Sequence, residues 1–236
     1  MSNKGKLSLV ATPIGNLEDI TLRAIRTLKE CDLVLCEDTR VTQKLLTKYE
    51  IKKPTFKADA HLSKGQLEKI KSLLEEGKHL CAVSDAGTPG ISDPGTFLVD
   101  FIRAQKIDCF IEAIPGPSAV TTALSLAGVL GNEWVFLGFF PQKKGRQTAL
   151  KELVQRKEAT VFYESSHRIL KLLEELVEYI PLRTIAIARE LTKMHEEFLK
   201  GTPQELLSIL KGDIKKQKGE FVVIVYPHLP THIVHR

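Results

Sequence analysis

The sequence of 236 residues predicts an α/β fold in two lobes. Two observations lead to this prediction. Short apolar runs of strand length alternate with amphipathic stretches of helical period, and turns rich in glycine, proline and polar residues follow several of the apolar runs. Hydrophobic residues make up 43% of the chain and charged residues 27%, as in an ordinary globular protein. Because strands and helices alternate in the first half, its strands should pair mainly in parallel.

The predicted strands are the apolar runs, and the predicted helices lie between them. The strands are residues 7–11, 33–36, 80–83, 107–113, 135–140, 159–163, 184–188 and 221–226. The helices include residues 22–28, 67–74, 97–102 and 118–127. Asp19 is the expected N-cap of the first helix, and Gly77 is expected to end the helix at 67–74.

The composition changes at residues 128–132, where a small-residue helix ends and a more basic half begins. This change is the best candidate for a boundary in the sequence, and we expect two α/β lobes with a cleft between them for a small molecule. With the helix at 118–127 assigned to the second lobe, the lobes are residues 1–117 and 118–236. Much of the net charge of +5 comes from Lys143-Lys144-Gly145-Arg146 and Lys215-Lys216-Gln217-Lys218. This bias is compatible with a nucleic-acid partner, and solvated surface lysines explain it equally well.

The sequence also argues against several classes of protein. No apolar run approaches the roughly 18 residues that span a bilayer, and the first one is too short for the core of a signal peptide, so a cytoplasmic protein is expected. Its four cysteines form no Cys-x-x-Cys pair and lie beside no histidine cluster. Neither a metal site nor a disulfide framework is predicted.

The most informative segment is Ser-Asp-Ala-Gly-Thr-Pro-Gly-Ile-Ser-Asp-Pro-Gly at residues 84–95, directly after a predicted strand. Glycine admits close backbone approach and proline restricts the chain, so this is a tightly specified loop. Loops at the carboxyl ends of strands bind ligands in open α/β sheets, although a structural turn is the alternative. The first turn lacks Gly-x-Gly-x-x-Gly, and no P-loop is present, so a dinucleotide or triphosphate ligand is disfavoured.

Three further polar segments also follow predicted strands. They are Glu37-Asp38-Thr39-Arg40, Pro115-Gly116-Pro117-Ser118 and Tyr163-Glu164-Ser165-Ser166-His167-Arg168. Each alone could be a helix cap or a surface ion pair; for Asp38 the alternative role is a cap or a pair with Arg40, and for Glu164 a pair with Arg168. Their shared position at strand ends favours a common site.

Together these segments resemble the tetrapyrrole-methylase superfamily and, within it, the family of ribosomal RNA small subunit methyltransferase I. The resemblance covers about residues 7–225, and it is carried by the segments 10–21, 37–40, 84–95, 115–117, 162–168, 188–193 and 218–225. It implies a two-lobed class III methyltransferase fold with a cofactor cleft between the lobes. It also implies S-adenosylmethionine as the cofactor, and methylation of the 2′-hydroxyl of a cytidine in the decoding centre of 16S ribosomal RNA, position 1402 by the family's convention. Relatives are commonly homodimers.

Two departures from the family pattern are visible. The family's His-x-His-Asn-Glu element corresponds here to Asp59-Ala60-His61-Leu62-Ser63, which keeps one histidine. The family also commonly continues into a helical tail, whereas this chain has about a dozen residues after the segment 218–225.

The resemblance places the cofactor against the first lobe's loops and assigns the second lobe to completing that site and contacting RNA. The cofactor-binding residues it implies are Pro13, Ile14, Gly15, Asp85, Gly87, Thr88, Ile91, Pro117, Ser118 and Ala119. Transfer of a methyl group to a ribose hydroxyl needs positioning and a proton acceptor, for which we expect Asp38 first, then Glu164, then His61. Candidates for contacting RNA are Arg40, Arg146, Arg168 and Arg189.

Two other functions stay open from the sequence. One is C-methylation of a tetrapyrrole precursor, which uses the same cofactor and fold family. The other is a non-catalytic RNA-binding role in ribosome assembly that keeps the fold as a scaffold.

Overall fold

In the computed structural model, residues 4–59, 61–93 and 95–227 are described. The chain divides into two compact units, Met1–Ser118 and Ala119–Arg236. The composition change at residues 128–132 lies inside the second unit. The functional roles predicted for the two lobes, and the predicted cleft between them, stay predictions.

The first unit is built on a five-stranded sheet in which every pair of neighbours is parallel, as predicted. Its strands are β1 (Gly5–Val10), β2 (Leu33–Cys36), β3 (Thr55–Lys57), β4 (His79–Val83) and β5 (Cys109–Ile114), in the order β3-β2-β4-β1-β5. Its helices are α1 (Leu22–Glu30), α2 (Thr39–Lys48), α3 (Lys64–Glu75) and α4 (Gly95–Ala104). Because all strands are parallel, the loops that follow them leave the same edge of the sheet.

Both faces of this sheet are covered, which explains the continuous apolar runs at residues 33–36 and 80–83 in its central strands β2 and β4. Leu7 of β1 packs in one cluster with Ile70 and Leu98 of α3 and α4. Val10 of the same strand packs in a second cluster with Leu28 of α1. Side chains of β1 point alternately to the two faces of the sheet, so this strand packs in both hydrophobic clusters. This packing fixes the register of β1 and with it the position of the loop that follows.

The helix boundaries show one wrong prediction and one confirmed prediction. Thr21, not Asp19, is the N-cap of α1, because its side chain accepts a hydrogen bond from Ala24 N. Asp19 lies in a short 3-10 turn before it. Gly77 follows the C-cap of α3 with a φ of +81°, the left-handed conformation in which glycine ends a helix.

The second unit contains a mixed five-stranded sheet. Its strands are β6 (Trp134–Phe139), β7 (Ala159–Ser165), β8 (Ile185–Arg189), β9 (Glu197–Gly201) and β10 (Glu220–Val225), in the order β6-β7-β10-β8-β9. Only β6 and β7 pair in parallel. Its helices are α5 (Ala119–Ala127), α6 (Arg146–Gln155), α7 (Ile169–Tyr179) and α8 (Pro203–Gly212). Residues of α6, α7 and α8 pack with Phe162 and Phe221 in one core.

No helix within the described ranges is long and apolar enough to cross a membrane. Over the same ranges, no three or more histidine, cysteine, aspartate or glutamate side chains are grouped to hold a metal ion. The four cysteines are free thiols.

Candidate functional site

Three loops are joined by hydrogen bonds at the carboxyl edge of the first sheet. After β1 and β4, Thr12 N donates to Gly87 O at 2.9 Å, and Gly87 N donates to Thr12 O at 3.1 Å. The Thr12 hydroxyl donates to Ser84 O at 3.0 Å. The Thr88 hydroxyl donates to Pro117 O, after β5, at 3.0 Å. The segment 84–95 is therefore fastened to the loops that follow β1 and β5, two strands that lie on the same side of β4 in the sheet.

The approach of these loops requires glycine at two positions. Gly87 has a φ of +87°, and a Cβ there would lie 3.3 Å from Ile14 Cγ2 and 3.6 Å from Pro117 O. A Cβ on Gly116 would lie 2.9 Å from Ala11 Cβ. Since Ile14 is buried, a side chain at Gly87 would force the loops apart.

Asp93 closes the second half of the segment 84–95. Its carboxylate accepts hydrogen bonds from Gly90 N, at 2.8 and 2.9 Å to its two oxygens, and from Gly95 N at 2.7 Å. Gly95 begins α4, so the same carboxylate stabilises the start of that helix. Between these contacts Ile91 remains 40% exposed, which leaves an apolar side chain on the surface of the loop.

The electrostatic character of this edge suits a cationic ligand better than a phosphate. Residues 11–17, 84–95 and 115–118 contain no lysine or arginine. Glu37 lies beside them and accepts a hydrogen bond from the Ser84 hydroxyl at 3.3 Å. Burial, together with the charges of Asp85 and Asp93, raises the pKa of Glu37. Backbone groups, small side chains and carboxylates are the donors and acceptors available here, and they fit the sulfonium and amino groups of S-adenosylmethionine.

The structure brings together most of the residues predicted to bind the cofactor. Those on the loops after β1, β4 and β5 of the first unit are Pro13, Ile14, Gly15, Asp85, Gly87, Thr88, Ile91, Pro117 and Ser118. Pro13, Ile14 and Gly87 are buried, whereas Gly15, Asp85 and Ile91 are exposed. Ala119 is the first residue of α5 and belongs to the second unit. Their contact with the cofactor stays a prediction.

Asp38, the first candidate for the proton acceptor, is occupied by other partners. Its carboxylate caps α2 by accepting Arg40 N at 2.8 Å, and it receives Arg40 Nε at 3.1 Å and Nη2 at 2.6 Å. These hydrogen bonds from Arg40 lower the pKa of Asp38 to about 2. A general base works best with a pKa near the working pH, so the structure argues against Asp38 in this role.

Glu164, the second candidate, is enclosed in the second unit. None of its side chain is exposed, and Oε1 accepts Arg168 Nε at 2.6 Å and Ser165 N at 2.8 Å. Its other oxygen lies 4.0 Å from Arg146 Nη1 and accepts no hydrogen bond from the described residues. Burial raises the pKa of Glu164. The burial of this carboxylate argues against Glu164 as the proton acceptor, and its contacts hold Arg168 in place.

Two of the four predicted RNA-contacting arginines are buried and bonded internally. Arg146 is 5% exposed; it donates to the Glu175 carboxylate through Nε and Nη2 and to Pro141 O at 2.7 Å. Arg189 is 8% exposed and donates to three backbone carbonyls, including Lys218 O at 2.7 Å. These contacts argue against RNA binding by either side chain.

The remaining candidates are closer to solvent. Arg40 is exposed, although Asp38 holds its guanidinium. Arg168 is partly exposed at the start of α7. His61 is also exposed, and its backbone N–H donates to Asp59 Oδ1 at 2.9 Å. Its neighbour Ala60 lies outside the described residues.

Sequence reasoning missed an aromatic cluster in the second unit. Phe136 and Phe139 of β6 contact Tyr163 of β7 with ring centres 5.0 and 5.4 Å apart. A glycine inside an apolar strand, here Gly138, is a sign of a bulge and could have drawn attention to this place.

Solved structures define the class of protein to which this fold belongs. The methyltransferase CobJ matches with a TM-score of 0.70 at 19% identity, covering 98% of this chain and 98% of that chain. The cobalt precorrin-4 methyltransferase CbiF matches with a TM-score of 0.66 at 18% identity, covering 94% of each chain. At these identities the likeness shows the fold alone, which is that of the class III methyltransferases.

Sequence comparisons identify the family. The sequence profile of the Tetrapyrrole (Corrin/Porphyrin) Methylases matches residues 6–207. Ribosomal RNA small subunit methyltransferase I of Thermotoga maritima is 46% identical over 94% of this chain and 98% of the relative. The protein of the same name from Bacillus subtilis is 42% identical over 95% of this chain and 76% of the relative. The chain therefore belongs to the tetrapyrrole methylase family, and S-adenosylmethionine is its methyl donor.

Proposed function

We propose that this protein methylates the 2′-hydroxyl of a cytidine in the decoding centre of 16S ribosomal RNA. The observation that carries the proposal is the identity of 46% and 45% to two relatives named ribosomal RNA small subunit methyltransferase I, each over at least 93% of this chain and 96% of the relative. An alignment of this extent reaches both units. The donor set at the first sheet, which suits S-adenosylmethionine, supports the same proposal.

In this proposal the loops of the first unit hold the cofactor. S-adenosylmethionine supplies a methyl group on a sulfonium, which is a good leaving group. Gly15 offers exposed backbone groups, Gly87 fixes the spacing of the loops through its two hydrogen bonds with Thr12, and Ile91 offers an apolar surface. The carboxylate of Asp85 is exposed, so it can balance the positive charge of the ligand. The hydrogen bonds between the loops keep these groups in place before the ligand arrives.

The acceptor hydroxyl must lose its proton. Of the three predicted proton acceptors, we retain His61. Asp38 is engaged by Arg40, and Glu164 is enclosed, whereas the His61 side chain is exposed. Removing a general base lowers a rate by about 10²–10⁴-fold. His61→Ala should therefore lower kcat by at least 100-fold without changing the affinity for S-adenosylmethionine. His195→Ala, at another exposed histidine, is the matched control.

RNA would be held by cations that solvent can reach. Arg40 and Arg168 remain candidates, and Lys143 and Lys144 add exposed charge beside β6. Contacts between cations and phosphates release counterions, so RNA affinity should fall steeply between low and high salt. Affinity that is independent of salt would contradict this part of the proposal.

The direct test is methylation of purified small subunits. The protein is incubated with S-adenosylmethionine and 30S subunits from a bacterial strain that lacks the modification, and the RNA is digested to nucleosides for mass spectrometry. We expect 2′-O-methylcytidine from subunits, with free 16S RNA as a parallel substrate and a precorrin as the rival one. Methylation of the precorrin alone, or of a base in place of a ribose, would refute the proposal. Light scattering of the same sample tests the homodimer.

A further inference from the structure

A β-bulge in β6 arranges the aromatic residues of the second unit into two layers. The register of β6 with β7 shifts between Phe136 and Phe139, and Gly138 lies in the shift with a φ of +67°. A bulge adds one residue to its strand. Two side chains that are three positions apart, here those of Phe136 and Phe139, therefore lie on the same face. Phe140 and Leu137 accordingly pack against the core. Phe136 and Phe139 both contact Tyr163, on the opposite face.

The rings of Phe136, Phe139 and Tyr163 form one aromatic cluster on this face. Phe136 and Phe139 meet Tyr163 edge-on, with interplanar angles of 70° and 63°. Phe139 is 55% exposed, although it lies in a strand, and Phe136 and Tyr163 are half-buried. Half-buried neighbours fix the position of Phe139, while its own ring keeps much of its area in water. An exposed aromatic ring held in this way is a surface on which a flat ligand can stack.

A fixed cation lies against the same surface. The guanidinium carbon of Arg168 is 6.0 Å from the centre of the Phe139 ring. Its Nε donates to Glu164 Oε1 and to the Ser165 hydroxyl at 3.0 Å, so the guanidinium cannot swing away. The pair of buried Glu164 and Arg168 thereby places a positive charge beside the rings. Lys143 and Lys144, a few residues beyond Phe139, are exposed and add to the charge.

The geometry points to a stacking site for one unpaired nucleobase of RNA, formed by Phe139, Phe136, Tyr163 and Arg168. Single-stranded nucleotides are recognised by stacking on aromatic rings and arginine planes, next to cations that meet the phosphates. The combination of rings and positive charge suits this polyanion better than it suits an apolar protein surface. This inference rests on the proposed function, because it assigns a place where the RNA substrate is held.

The test measures binding of a fluorescein-labelled single-stranded RNA that carries one 2-aminopurine. Replacing an aromatic residue that stacks on a base costs about 1–3 kcal/mol, which is about 5- to 150-fold in affinity. Phe139→Leu should weaken binding within this range and remove the quenching of 2-aminopurine, whereas Phe139→Trp should retain both. Phe110→Leu is the matched control, since Phe110 of β5 is also 55% exposed. Because Phe139 is at the surface, its substitution leaves the core intact.

Three outcomes would overturn the inference. Phe139→Leu could bind RNA as wild type does. It could lose affinity for S-adenosylmethionine and not for RNA, which would assign the rings to the adenine of the cofactor. It could convert a dimer to a monomer in light scattering, which would assign them to a contact between copies. RNA binding is read independently of methylation, so a protein that binds through Phe139 but makes no 2′-O-methylcytidine would refute only the proposed function.

Discussion

Replacing Gly87 by alanine tests whether the three hydrogen-bonded loops after β1, β4 and β5 hold the cofactor. A Cβ at this position meets Ile14 Cγ2 at 3.3 Å, and the backbone has a φ of +87°. Gly131 is the matched control, because its φ is +100° and nothing lies within 4 Å of an added Cβ. Both substitutions place alanine at positive φ, but only Gly87→Ala also crowds a loop.

The magnitudes separate the two effects. A left-handed conformation costs a non-glycine residue about 1–2 kcal/mol, and this cost is common to both variants. Overpacking adds about 1–3 kcal/mol, and this cost applies to Gly87→Ala alone. If the loop relieves the crowding by moving, the cofactor must restore the original position when it binds. A cost of about 1 kcal/mol then lowers the affinity for S-adenosylmethionine about fivefold, and larger costs lower it further.

Calorimetric titration with S-adenosylmethionine and urea unfolding measure the two quantities. We expect Gly131→Ala to bind as wild type does and Gly87→Ala to bind at least fivefold more weakly, with a larger loss of unfolding free energy. Equal affinity in Gly87→Ala, Gly131→Ala and wild type would refute the reasoning, because the crowded loop would then have no part in cofactor binding.

The further predictions concern three polar residues, Asp38, Glu164 and Arg146. Asp38→Asn keeps a good N-cap and should retain methylation within about threefold; complete loss with normal cofactor affinity would restore Asp38 as the base. The low pKa of Asp38, about 2, means that its contribution to stability is present above about pH 4 and is lost as the pH falls towards 2. Burial raises the pKa of Glu164, so the contribution of this side chain to the free energy of unfolding falls as the pH rises above about 4. The free energy of unfolding of Glu164→Gln, measured with urea, should not show this fall. Arg146→Ala leaves the Glu175 carboxylate without its cation and should cost about 3–5 kcal/mol in urea unfolding. Arg40→Ala breaks an exposed pair and should cost at most about 1 kcal/mol.

The parts of the fold that the sequence predicted are those with a strong local pattern. β2 and residues 80–83 of β4 are largely buried, so they form unbroken apolar runs that mark them as strands, and in β1 the apolar Leu7, Leu9 and Val10 surround a buried Ser8. β3 (Thr55–Lys57) and β9 (Glu197–Gly201) were not predicted. Both are edge strands in which apolar residues are a minority. Their pairing comes from the neighbouring strand rather than from their own composition.

The sequence predicted which loops form the site, but it did not predict the chemical role of each residue. Glycine and proline between residues 84 and 95 mark the loop wherever it lies in the fold. Whether a carboxylate acts as a base depends on what is within about 3 Å of it. For Asp38 the sequence left the base and the pair with Arg40 as alternatives, and the 2.6 Å contact with Arg40 favours the pair. Arg146 follows two lysines and looks exposed. Its partner Glu175 is 29 residues away, and only the fold brings the two together.

The strand order of the first sheet has a consequence for folding during synthesis. β1 is made first, but its two neighbours are β4 and β5, so its backbone groups find no partner in the sheet until residues 79–83 have been made. At 5–20 residues per second, this wait after residue 10 lasts about 4–15 s. The contact of Thr88 with Pro117 forms later still. The earliest apolar strand of the chain therefore stays unpaired for seconds, which is an interval in which a chaperone can bind it.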